Sequence, residues 1–255
     1  GESWPDLVTY ALSHDWGGLE NLSMIPGSVG AAPIQNIGAY GVELKNCFES
    51  LRAVHLKTGE AHEFDKEDCA FGYRESCFKN IHKGAYLITE VRLRLTKAGF
   101  HQVNLSYGTI EEELEKMGVS TPTIHAVSQA VCRIRTAKLP DPAVVGNAGS
   151  FFKNPVIPSG QFEQLQAKYS QVPYYPAESG KIKVPAAWLI DQLGWKGRHI
   201  GGAGVHERQA LVLVNVGDAT GSDLQELAGA IQKDVFENFG ISLTPEVNLI
   251  PNDLA

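Results

Sequence analysis

The stretch MIPGSVGAAPIQNIGAYG, residues 24–41, restricts the fold more than any other part of this chain. Pro26 and Pro33 remove backbone donors that a continuous helix needs, and Gly27, Gly30, Gly38 and Gly41 give a strand little to pack. The segment is therefore neither a regular helix nor a regular strand. Its glycines either close a tight structural loop or let backbone amides approach a ligand, such as a phosphate or a flat ring. The spacing matches neither GxGxxG nor the P-loop, so both readings stand.

The flanking patterns are more regular. Trp4, Leu7, Val8, Ala11 and Leu12 set a helix over 2–14, and residues 42–46 begin a short helix or turn. Residues 50–64 alternate and turn at Thr58-Gly59, which is a hairpin signal; 66–80 mix loop and short helix; 85–95 alternate as a strand. Helices are expected over 109–117 and 123–139, the second stopped by Pro140 and Pro142, which mark the best internal boundary. Beyond it a glycine-rich loop at 146–149 leads into Ser150. Helices follow at 159–169 and 184–194, a buried strand at 210–216, and a helix at 222–240 with Ser222 as N-cap and Gly240 past its end. Residues 241–250 alternate as a final strand.

A chain of 255 residues makes one large domain or two ordinary ones. With 22 Lys and Arg against 29 Asp and Glu, the net charge of −7 argues against holding nucleic acid by bulk field, though not against a local cationic pocket for a small anion. Cys47, Cys69, Cys77 and Cys132 form no CxxC pair and are expected as reduced, mostly buried thiols of a cytoplasmic protein. No run approaches the ~20 apolar residues of a membrane span. The first residues lack a leader's basic region and apolar run. Starting directly on a helical pattern without Met, the chain is expected to be a piece of a longer one.

Single positions admit a bland and a sharp reading. Ser150, in GNAGSFFKNP, has no neighbouring His or Asp, and GxSxG is absent, so it is not a hydrolase nucleophile. It is either a strand hydroxyl bonded to nearby backbone or a proton donor. Tyr73 and Arg74, in FGYRES, are either surface residues or a loop presenting a guanidinium fork to a carboxylate or phosphate. Arg133, Arg135 and Lys138 either complement a helix C-terminus or hold an anion, with Arg135 and Lys138 on one face. Glu246, after Pro245, shares a strand face with Asn248, which on spacing alone is solvent-facing. The histidines are scattered without HExxH, so no metal site is expected.

Taken in order, IPGSVGAAPIQNIGAYG, FGYRES, TAKLPDP, GNAGSFFKNP, AAWLIDQ, VHERQALVLVN and PEVNLI resemble one family closely, the UDP-N-acetylenolpyruvoylglucosamine reductases of peptidoglycan precursor synthesis. YGVELKN and LSYGT, the loop of Tyr107, resemble the subtype with a substrate-covering tyrosine loop. The resemblance implies an α+β protein. Residues 1–139 would be an FAD-binding lobe of the vanillyl-alcohol-oxidase/PCMH type, 140–240 a smaller substrate lobe, and 241–255 a strand returning to the active site. It implies reduction of UDP-N-acetylglucosamine enolpyruvate by NADPH through FAD, in a cytoplasmic monomer serving cell wall biogenesis, cell shape and division.

The same resemblance assigns roles. Ser150 aligns with the proton donor, and Arg74 and Glu246 align with the pair that polarises the substrate carboxylate. Glu246 helps most as the neutral acid, donating a hydrogen bond. Tyr107, Lys138, Asn154 and Gln209 match positions holding the diphosphate and sugar, and Tyr73 joins them. Gly27, Ser28, Gly30 and Ile37 match a flavin-contacting wall, with Arg135 also assigned to the cofactor. The family begins with a further segment that completes the flavin lobe, and this chain starts after it. Expected, then, is weak or absent FAD binding by the chain alone, which flavin absorbance would test. The second reading is a module keeping only the UDP-sugar site.

Overall fold

Ser3 starts the first helix: its hydroxyl accepts from the Asp6 N–H at 3.4 Å, and Pro5 supplies a φ already suited to the first turn. Helix α1, Trp4–Ser13, buries Trp4, Val8 and Ala11. The Trp4 indole donates to the Leu22 carbonyl at 3.0 Å, so this large ring is buried without stranding its N–H. The computed structural model describes residues 1–250. The chain divides into two units, Gly1–Ala137 and Lys138–Ala255.

In the first unit the glycine-proline stretch becomes a 3₁₀ helix, Val29–Gln35, followed by a small ribbon of β1, Gly38–Ala39, and β2, Val42–Glu43. Ser28 caps the 3₁₀ helix by accepting from the Ala31 N–H at 3.3 Å. The expected hairpin is present as β3, Phe48–His55, and β4, Ala61–Asp65. Strand β5, Tyr86–Leu93, pairs with the other edge of β3, giving an antiparallel sheet in the order β4-β3-β5. Leu22, Leu44 and Leu51 are at most 1% exposed in its core, each contributing roughly 1.5–3 kcal/mol by burial. Helices α2, Gly108–Lys116, and α3, Ile124–Lys138, pack together through Ile110, Leu114, Val127, Val131 and Ile134.

The second unit carries two antiparallel sheets. Strands β6 (Gly146–Ser150), β7 (Val156–Pro158), β8 (Tyr175–Pro176), β9 (Lys181–Lys183), β10 (His199–Ile200), β11 (Ala203–Val205) and β12 (Val212–Asn215) pair in the orders β10-β11-β12-β6 and β7-β9-β8. Helices α4 (Ser159–Lys168), α5 (Ala186–Gln192) and α6 (Gly221–Phe239) cover a core that includes Phe152, Leu189, Ile190, Leu227 and Ile231. Among the described residues no helix is long and apolar enough to cross a membrane. The cysteines are free thiols, and burial pushes Cys47 and Cys69 up to about 12.

Three local expectations change. Residues 146–149 form a strand, because β6 takes its ladder from β12 despite its glycines. Residues 241–250 form no strand. Pro245 cannot donate to a ladder, and the segment keeps an isolated bridge, Phe152 with Pro245. The N-cap of α6 is Thr220, not Ser222. Thr220 accepts from the Asp223 N–H at 3.3 Å, and the Asp223 carboxylate accepts from the Thr220 N–H at 2.7 Å, closing a capping box.

The Thr220 backbone N–H, with its hydroxyl, holds the Asp223 carboxyl below its ordinary value of 3.8. The stability this provides is fully present above 3.8 and is lost as pH falls through the lowered folded value. Thr220→Ala is expected to cost about 1 kcal/mol at neutral pH by urea denaturation. Asp223→Asn should flatten the acid limb of stability against pH, and an unchanged limb would dismiss the box as a contributor.

Candidate active site

Two groups of the expected residues sit in the first unit around the β1–β2 ribbon. Arg74 lies in a tight loop closed by mutual backbone bonds between Gly72 and Glu75, at 3.0 and 3.2 Å. Its backbone is left-handed, with φ 56, an arrangement that a non-glycine residue adopts only when its surroundings hold it there. The Arg74 Nη2 donates to the Gly38 carbonyl at 2.8 Å, and its guanidinium carbon lies 5.4 Å from the Tyr73 ring centre. A Cβ on Gly38 would stand 2.9 Å from Glu43 Cγ and 3.1 Å from Arg74 Nη1, so the glycine makes room for the guanidinium.

Tyr40, in the same ribbon, connects to the second group. Its ring meets Tyr107 edge to face at 5.4 Å. Burial raises the Tyr40 phenol above its ordinary value, while the Arg135 guanidinium beside it, hydrogen-bonded to the hydroxyl, pulls the other way. Burial likewise lowers Arg135, and its Nε is buried without an acceptor among the described residues. A buried donor left over in this way suits a ligand that brings an acceptor. Lys138 does not share this environment: Arg135 turns inward and Lys138 is exposed at the end of α3.

The expected flavin wall is spread along the 3₁₀ helix. Ser28 and Gly30 line a groove of about 910 Å³ with Ile34, Tyr86 and Ile88. Gly30 approaches β5 so closely that a Cβ would lie 3.2 Å from the Ile88 carbonyl. Gly27 and Ile37 lie outside this groove. Gly27 accepts from the Trp4 N–H at 2.9 Å, and Ile37 packs against the core beyond the helix.

In the second unit the expected residues gather at one end of the larger sheet. Ser150 closes β6 opposite Val212 and is exposed. The register shifts between Val212 and Val214, forming a bulge in which Gly149 has φ 72, a conformation few other residues accept. Asn147 secures the bulge by accepting from the Gly149 N–H at 3.0 Å and donating to the Val145 carbonyl at 2.8 Å. The segment after α6 runs antiparallel beside residues 151–153. Lys153 N–H donates to Thr244 at 2.9 Å, and Glu246 N–H donates to Phe151 at 2.7 Å. Glu246 is thereby paired with the residue that follows Ser150.

Asn154 and Gln209 flank this end. The Asn154 Oδ1 accepts from the Ala186 N–H at 2.9 Å, at the start of α5. Gln209 is half-buried in the turn before β12, and its carbonyl accepts from Val212, the partner of Ser150 in the ladder. The sequence reading did not single out Asn36, Tyr40 or Asn147. A visible signal existed for Asn36: it is an uncharged polar residue able to turn left-handed, set among small apolar neighbours.

The chain is similar to known proteins over nearly its whole length. Residues 141–250 match the family described as UDP-N-acetylenolpyruvoylglucosamine reductase, C-terminal domain, and residues 1–65 match the FAD binding domain. The UDP-N-acetylenolpyruvoylglucosamine reductase of Flavobacterium johnsoniae is 50% identical over 250 residues, covering 98% of this chain and 74% of that protein. The protein of the same name from Pseudomonas aeruginosa is 51% identical over 249 residues, covering 98% and 73%. The crystal structure of UDP-N-acetylenolpyruvylglucosamine reductase from Thermus caldophilus superposes with a TM-score of 0.66 at 26% identity, covering 98% of this chain and 70% of that one. With half of its residues shared over nearly its whole length, and with an FAD-binding domain ahead of the reductase's own C-terminal domain, the chain belongs to the UDP-N-acetylenolpyruvoylglucosamine reductases, a family of oxidoreductases.

Proposed function

We propose that the chain reduces UDP-N-acetylglucosamine enolpyruvate to UDP-N-acetylmuramate at the expense of NADPH, a step of peptidoglycan precursor synthesis in the cytoplasm. Bound FAD, reduced by NADPH, supplies the hydride. Arg135, with its buried unpartnered Nε, fits a cofactor rich in acceptor oxygens, as do Ser28 and Gly30 along the groove. Gly27 and Ile37 join that wall on the family pattern alone.

The protein's own residues handle charge and protons. Addition of hydride to the terminal carbon of the enolpyruvyl group leaves negative charge that spreads onto the carboxylate. Arg74, held in one conformation by its loop, stabilises that charge without reorganising. Glu246 donates a hydrogen bond to the same carboxylate as a neutral acid. Ser150 gives its proton to the neighbouring carbon, so it needs no base to activate it. Tyr73 stacks on Arg74, and Tyr107, Lys138, Asn154 and Gln209 hold the diphosphate and sugar, Lys138 as a point charge.

The observation that supports this reading best is the 2.7 Å bond from Glu246 N–H to the Phe151 carbonyl, which ties the backbone of the assigned acid to the residue after the assigned proton donor. The test is NADPH consumption by the chain supplied with FAD and the enolpyruvyl substrate, with mass spectrometry of the product. A lactyl ether carrying two more hydrogens is expected. Substrate recovered unchanged while NADPH is oxidised would refute the assignment.

A further inference from the structure

Asn36 is the residue best placed to hold Arg74 in position. It is wholly buried and left-handed, with φ 46. Its Nδ2 donates to the Gly72 carbonyl and to Glu43 Oε2, both at 3.0 Å, and its Oδ1 accepts from the Lys45 N–H at 2.9 Å. One amide therefore joins three pieces of chain: the end of the 3₁₀ helix, the β1–β2 ribbon and the arginine loop.

Two of these pieces control Arg74. Gly72 is one end of the Gly72–Glu75 closure that contains Arg74, so a bond to its carbonyl anchors the root of the side chain. Gly38, which accepts from Arg74 Nη2, lies in the ribbon whose facing strand ends at Glu43, so the bond to Glu43 anchors the tip. Glu43 is itself held by the Lys45 ammonium at 3.0 Å and by the Asn46 side-chain Oδ1, which accepts from its N–H at 2.7 Å. A left-handed arginine relaxes once its frame loosens, and Asn36 is the side chain that bonds both the arginine loop and the ribbon strand facing Gly38.

We propose that Asn36 is a positioning residue for Arg74, setting the guanidinium toward the carboxylate of the bound UDP-sugar. This rests on the carboxylate-binding role given to Arg74 above. Asn36 touches no substrate; it acts through the loop and the ribbon.

Two variants test the role. Asn36→Asp keeps the shape and the acceptor for Lys45 but loses both donors. Asn36→Gly keeps the left-handed backbone and loses the whole amide. Titration calorimetry on the full chain compares UDP-N-acetylmuramate, which carries the carboxylate, with UDP-N-acetylglucosamine, which does not. Each variant is expected to weaken the first by about tenfold and the second by less than about twofold. In an Arg74→Ala background the added effect of Asn36→Asp should fall below about twofold.

A merely structural Asn36 weakens both ligands alike, and that result overturns the proposal, as does loss of the folded state in both variants. The Arg74 assignment is tested separately. If Arg74→Ala leaves the preference for the carboxylate ligand intact, that assignment fails and the proposal falls with it. If Arg74→Ala abolishes the preference and the Asn36 variants keep it, the positioning role alone is refuted.

Discussion

In a full-length, flavin-loaded context, Ser150→Ala is expected to slow substrate reduction by about 10²- to 10⁴-fold while NADPH-dependent bleaching of bound flavin stays within about twofold of the parent. The asymmetry follows from the role assigned to the hydroxyl. Ser150 is exposed at the end of β6, and no His or Asp neighbours it in sequence. Its backbone is fixed by pairing with Val212 and by the bulge at Gly149, which Asn147 secures. Removing one oxygen from an exposed site leaves those bonds untouched, so the fold should not suffer. Stopped-flow absorbance resolves the two halves: flavin reduction by NADPH alone, then reoxidation on adding the enolpyruvyl substrate. Equal slowing of both halves would contradict a proton-donor role.

What the sequence reveals depends on the range of the forces involved. The β3–β4 hairpin is legible because its turn residues and alternation are local, and α6 because its apolar stripe runs over 19 residues. Its exact start is not, since Thr220 and Ser222 are both competent caps and the choice is made by Asp223, one turn from Thr220. Strands β8, β10 and β11 have two or three residues, too few for a period to appear, and exist through their partners. The return of 244–246 alongside 151–153 is a contact across 93 residues in the cases of Phe152 and Pro245, and local pattern carries nothing of it. The candidate site divides in the same way. Motif order pointed to Ser150, Arg74 and Glu246 through family resemblance, whereas spacing alone made Glu246 a solvent-facing carboxylate. Asn36 was passed over because its work is done by tertiary hydrogen bonds.

Phe152→Ala should carry the largest stability cost in the second unit, about 3–5 kcal/mol. The ring is 1% exposed and meets Phe151 edge to face at 5.0 Å. Its truncation removes dispersion contacts and leaves a void that the surrounding core fills only in part. Phe152 also bridges Pro245, between the backbone bonds that tie Lys153 to Thr244 and Glu246 to Phe151. A core that loosens at this ring therefore frees the segment bearing Glu246 as well as lowering stability. Hydrogen exchange separates the two units: amides of β12 and α6 should open at lower free energy, while those of β3 keep their protection. Phe152→Leu, which retains most of the volume, should cost about 1.5 kcal/mol or less and recover most of the activity lost in the alanine variant. If the β12 amides of Phe152→Ala stay within about 1 kcal/mol of the parent, the ring is not the keystone argued for it. If stability falls but activity at low temperature does not, the 244–246 segment holds its place by backbone bonds alone.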